Sequence, residues 1–169
     1  MELKLKAITR RGVAEAISKV ELYRYLNEPE AAESICRDIL AVEPHNQVAL
    51  RLLGLTLTDQ FTGSDRDRYT ETLQIFHSLT DPYERLYYTG IAHERRAKAQ
   101  LRTGQLPHTL VVLFEEAMRC FEEAEKIRPL DNDDAILRWN RCVRLLQTLP
   151  HGEWEKELAA FDSGDSPPT

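Results

Sequence analysis

A chain of 169 residues suffices for one compact domain or one short repeat array. With 42% apolar and 30% charged residues it can bury a core without disulfides, which excludes the disordered and disulfide-scaffold classes. A net charge of -6 argues against a general grip on nucleic acid or anionic lipid, yet Arg95, Arg96, Lys98, Arg102, Arg138, Arg141 and Arg144 concentrate positive charge in the second half. The longest apolar run, Leu110 to Phe114, is far short of the ~20 residues a membrane span requires. Met1 to Lys6 has no signal-peptide apolar region, so a cytoplasmic protein is expected. Cys36, Cys120 and Cys142 are scattered singly and read as small buried hydrophobes in a reducing compartment.

Helical spacing recurs along the chain, and no segment alternates as a strand does. The first helix spans Thr9 to Leu26, with Val13, Ile17 and Val20 on one side. Asn27-Glu28-Pro29 stops it and opens a second, Pro29 to Val42, because proline suits a first helical turn. Asn46 caps a third that ends near Gln60. Ser64 with Asp67 resembles a capping box for a fourth, running to Leu79. Thr80-Asp81-Pro82 launches a fifth, Pro82 to Arg102, which Gly104 terminates. The sixth, His108 to Arg128, carries the stripe Leu110, Leu113, Phe114, Ala117, Phe121, Ala124 and Ile127. Asp131 or Asn132 begins a seventh with Ile136, Trp139, Val143 and Leu146 on one face, and Pro150 ends it. A short eighth sets Trp154, Leu158 and Phe161 on one side, and the tail 162–169 has the composition of a disordered end.

Seven to eight helices joined by tight turns call for a repeat comparison. Ala117, Phe121, Ala124 and Pro129 have the spacing of a second helix and its closing proline in the tetratricopeptide repeat, which the chain resembles. Ala32, Cys36, Ile39 and Pro44 have the same offsets, with Cys36 in place of the aromatic. Leu50, Leu53-Gly54 and Leu57 match the first-helix pattern, and Leu86, Gly90 and His93 repeat it less closely. Gly54 and Gly90, 36 residues apart, and the alanines Ala32 and Ala117 are small where paired helices must approach closely. Ala32 and Ala117 lie 85 residues apart, longer than two units, which places insertions near Phe61–Asp67 and Gln100–His108. Lys19 and Val20 replace the Leu-Gly pair in the first repeat, and Asn140 takes a small-residue position in the last. The resemblance implies an all-α, right-handed solenoid of antiparallel helix pairs: one domain over 1–161, with about three degenerate repeats and C-terminal capping helices.

No motif argues for an enzyme, a cofactor or a metal. His93-Glu94-Arg95-Arg96-Ala97 begins like a zinc-protease helix, but Ala97 stands where the second histidine belongs. Asp131 to Asp134 hints at a calcium loop, yet Ala135-Ile136 interrupts the ligand pattern, and helix-start acids explain it better. By the resemblance, the first helices of each pair line a concave groove for a protein partner. The residues carried onto it are Glu21, Arg24 and Tyr25; Arg51, Leu55 and Asp59; Tyr87, Tyr88, Ile91, Glu94 and Arg95; and Leu137, Arg138, Arg141 and Arg144. Tyrosine and arginine are residues that anchor interfaces. The groove is expected to hold a peptide or protein with acidic and apolar groups, the chain acting as an adaptor or scaffold. A dedicated chaperone is the alternative, and a nucleic-acid-associated regulator a distant third. The positions at which family members clamp a C-terminal carboxylate fall on Ile17, Glu21 and Leu52, which argues against that specificity. Trp154, Leu158 and Phe161 either cap the array or mediate a homodimer.

Overall fold

A computed structural model of the chain describes residues 3–104 and 107–149. Within them lie a single 3-10 turn, Arg10–Gly12, and seven α-helices: α1 (Val13–Tyr25), α2 (Pro29–Val42), α3 (Gln47–Asp59), α4 (Arg66–His77), α5 (Pro82–Arg102), α6 (Pro107–Lys126) and α7 (Asp134–Thr148). No strand occurs among the described residues. The expected eighth helix and the tail fall outside them.

Local chemistry explains most of the boundaries. The Thr9 hydroxyl accepts from the Gly12 amide, so the first element begins as a 3-10 turn before α1. Asn27 adopts a left-handed φ of 60°, and the Glu28 amide reaches back to the Tyr23 carbonyl, a Schellman closure that frees Pro29 to start α2. Asn46 accepts from the Ala49 amide at 2.9 Å, as expected of a cap. Asp81 accepts from the Tyr83 and Glu84 amides. Gly104 closes α5 at φ 73°.

Two starts differ from the sequence expectation. Asp65, not Ser64, caps α4: its carboxylate accepts from the Arg68 amide and also pairs with the Arg68 guanidinium, which a serine could not do. The seventh helix begins at Asp134 rather than near Asp131. Asp131 takes a left-handed φ of 61°, and Asn132 Oδ1 accepts from the Asp134 amide and the Tyr83 hydroxyl. Those residues make a turn tied to α5, not a first helical turn.

Each helix packs on its sequence neighbours, and α1 also touches α3 as α3 touches α5. Ion pairs follow the same two rows. Arg24 of α1 meets Asp59 of α3, Arg51 of α3 meets Glu84 of α5, and Arg138 of α7 meets Glu94 of α5. On the other side, α2 and α4 are joined by Arg37–Glu71 and Arg68–Glu33. Burial pushes the Glu33 carboxyl up, but hydrogen bonds from Gln60, Arg37 and Arg68 outweigh it and hold the pKa below its ordinary value.

The core lies between the rows. One cluster joins α1, α2 and α3 around Val20, Cys36, Ile39 and Leu57; another joins α5, α6 and α7 around Phe114, Phe121 and Cys142. Phe76, Leu79 and Ala92 bridge them. Gly54 and Gly90 are required by this packing. A Cβ on Gly54 would sit 2.2 Å from Phe76 Cε1, and one on Gly90 would sit 2.6 Å from Phe121 Cε1. What approaches each glycine is thus a phenyl ring from the following helix. The three cysteines are free and buried, and burial pushes the Cys36 and Cys142 thiols up to about 12 and that of Cys120 to about 11.

Candidate functional site

The row α1, α3, α5 and α7 carries the residues nominated for the groove. Their side chains form two ionic nodes. At the first, the Asp59 carboxylate accepts from Arg24 Nε at 2.7 Å and from Arg95, whose guanidinium also donates to the Thr58 hydroxyl at 2.6 Å. At the second, Glu94 is fully buried and meets Lys98 one turn along α5, Arg138 at 3.3 Å and Arg141 at 3.6 Å from α7. Arg102 and Arg144, both exposed, have no ion-pair partner among the described residues. Six cations (Arg24, Arg95, Lys98, Arg102, Arg138 and Arg141) therefore stand around two carboxylates.

Burial acts on these charges directly. It lowers the pKa of Arg95, an effect the neighbouring Asp59 only partly offsets, and lowers that of Lys98 against the opposing pull of Glu94. For Arg138 burial also acts downward, but the Tyr87 hydroxyl, to which it donates, and Glu94 more than compensate. Cations held in a partly dry setting with too few carboxylates favour any further anion that can reach them.

The nominated residues separate into three groups. Arg51, Arg95, Arg138, Arg141 and Arg144 lie on α3, α5 and α7, the first four in ion pairs. Tyr25 is 88% exposed at the last turn of α1, and Leu137 also stands in solvent. The remaining apolar anchors are committed to packing. Tyr87 stacks on Tyr83 at 5.6 Å and meets Tyr88 and Phe121; Tyr88 leans on Phe76; Leu55 packs between core clusters. Ile91 is only 2% exposed and belongs to the core, so the structure places it out of a partner's reach.

Two details were not foreseen from the sequence. Glu94, nominated as a groove residue, is the buried centre of a charge cluster, and its i,i+4 relation to Lys98 with Arg138 and Arg141 one turn apart was the available signal. Arg96, grouped with the basic residues, points elsewhere: it donates to the Thr62 and Asp65 carbonyls and lies over the Tyr69 ring, pinning the segment between α3 and α4.

The zinc-protease-like pair divides between two different neighbours of α5. His93 Nδ1 is 2.6 Å from the Tyr69 hydroxyl of α4, whereas Glu94 faces α7. Burial lowers the His93 pKa and raises that of Tyr69 to about 12, so a neutral phenol and a neutral ring share this hydrogen bond. Beside them an open cleft of about 730 Å³, lined by His77, Leu86, His93, Arg119 and Cys120 among others, contains none of the nominated residues. Asp133 pairs with Arg128 instead of gathering with the other loop acids. Among the described residues, no three His, Cys, Asp or Glu side chains come together as a metal site, and no helix is long and apolar enough to cross a membrane.

Compared with protein-family models, with curated proteins and with solved structures, the chain matches none.

Proposed function

We propose that this chain is a non-catalytic binding module, a tetratricopeptide-like helical array whose odd-numbered helices present a partner-binding face. The paired rows of helices and the glycine-to-phenyl contacts at Gly54 and Gly90 support the architecture. One observation carries the binding role: on a chain of net charge -6, this face gathers six cations around two carboxylates. The fitting partner is a peptide or protein with an acidic side, reached by Arg141, Arg144 and Arg102, and an apolar group for the exposed Tyr25 and Leu137.

Crosslinked capture from a native lysate tests this, using the intact chain beside a Tyr25→Ala, Arg144→Glu variant. Both side chains are exposed, so the variant keeps its fold. Specific partner bands disappear in the variant and weaken with salt in the parent. Unchanged capture would rule out this face.

A further inference from the structure

Between the C-terminal halves of α3 and α5 lies a small polar pocket of about 180 Å³, lined by Thr58, Asp59, Arg95, Lys98 and Arg102. That volume is large against the roughly 10–15 Å³ a single water needs, so a polyatomic ion can enter. Arg95, Lys98 and Arg102 follow one another at helical steps of three and four, which turns all three toward the same side of α5. We propose that this pocket binds a phosphoryl group.

Charge and donor geometry together select the ligand. Asp59 is already shared by Arg24 and Arg95, and Glu94 by Lys98, Arg138 and Arg141, while Arg102 is unpaired among the described residues. The C-termini of α3 and α5 add partial negative charge, roughly half an elementary charge each, or about one together. On the pocket wall itself three cations, Arg95, Lys98 and Arg102, exceed the one carboxylate, Asp59, and that contribution by about one charge, and Arg24, Arg138 and Arg141 add positive charge from behind the wall. A carboxylate supplies one negative charge in a plane. A phosphoryl group supplies nearly two at neutral pH and spreads three acceptor oxygens, enough to meet two guanidinium forks and an ammonium together. The lowered pKa values of Arg95 and Lys98, caused by burial, point the same way: an incoming anion returns to these groups the compensation that desolvation removed.

This inference rests on reading the odd-helix face as the binding face, and it deepens that reading by naming the anion. The group comes either from a free phosphorylated small molecule or from a phosphorylated side chain of the partner. Titration of the full ¹⁵N-labelled chain with inorganic phosphate, against acetate at matched ionic strength, is the direct test. Saturable amide shifts gathered on Thr58, Asp59, Lys98 and Arg102 are expected with phosphate and not with acetate. Binding weakens between pH 7.5 and 5.5 as the phosphate takes its second proton, and Arg102→Glu, at an exposed and unpaired position, weakens it by about tenfold. A peptide with one phosphoserine in a neutral sequence separates the sources: tighter binding than inorganic phosphate assigns the group to a partner, weaker binding to a small molecule. Scattered shifts, equal shifts with acetate, or unaltered affinity in Arg102→Glu would overturn the proposal. Tyr25→Ala, Arg144→Glu leaves phosphate binding intact, so loss of the partner and loss of the anion are separately visible.

Discussion

The α1–α2 pair and the α5–α6 pair are packed with different side-chain volumes. In α5–α6 the first helix supplies nothing, Gly90, and the second supplies a whole phenyl ring, Phe121; α3–α4 does likewise with Gly54 and Phe76. In α1–α2, Val20 and Cys36 are both fully buried in one apolar cluster. Under the proposed repeat register Val20 corresponds to Gly90 and Cys36 to Phe121, and the slot then specifies the sum of the two side chains, not either residue alone. The α5 end differs in a second way. It buries a carboxylate, Glu94, under cations from two helices, while the α1–α2 core is apolar.

That second difference gives the largest expected effect. Glu94→Ala leaves Lys98, Arg138 and Arg141 facing one another without their shared anion, and removing one side of a buried ion cluster costs about 3–5 kcal/mol. Asp59→Ala removes the more accessible node between Arg24 and Arg95 and costs about 1 kcal/mol or less. Urea denaturation of the two variants measures the gap, and equal losses would mean that the buried node is no more than a surface pair.

The volume exchange is tested next. Gly90→Ala drives a Cβ to within 2.6 Å of Phe121, an overpacking worth roughly 1–3 kcal/mol that Phe121→Leu relieves in part. In the first pair, Cys36→Phe alone overfills the slot by a similar amount, about 1–3 kcal/mol. Adding Val20→Gly opens the room that Gly90 provides in α5. The glycine itself costs about 1 kcal/mol in a helix, yet the double variant is expected to be more stable than the sum of its parts by about 1 kcal/mol or more. Strict additivity would show that the two positions do not share a slot.

Much of this was legible in the chain, because caps and prolines act through local geometry. Asn46, Asp81 and the Asn27–Pro29 stop behave as their sequence context dictates. The departure of Lys19-Val20 and Cys36 from the repeat pattern was also legible, although not that Val20 and Cys36 enter one cluster. Depth was not legible. A helical offset says which side of α5 a residue faces, not how far the next helix covers it. Hence Ile91 and Glu94 read as surface groups but are buried, and Tyr87 and Tyr88 are held in an aromatic stack. The pocket among Thr58, Arg95, Lys98 and Arg102 was not legible either, because its residues come from two helices whose approach no sequence offset gives.

The smallest expected effect concerns His93, which has no equivalent in the α1–α2 cluster. Its ring is lodged among Tyr69 of α4, His77 at the end of α4, and Glu116 and Arg119 of α6. Burial lowers its pKa most; Glu116 opposes that shift, and His77 and Arg119 add to it. The folded state thus holds a neutral histidine where the unfolded chain takes a proton at its ordinary value of about 6.5. Below that pH the unfolded state binds more protons than the native one, so stability falls as pH drops from about 6.5 through the lowered folded pKa. Glu33 acts in a separate window, its contribution being lost only as pH falls below the ordinary carboxylate value of about 4.5. Thermal unfolding between pH 7.5 and 5 should therefore show a Tm slope in the parent that flattens in His93→Gln, whose amide can still accept from Tyr69 but does not titrate. A slope unchanged by the substitution would place the titrating group elsewhere.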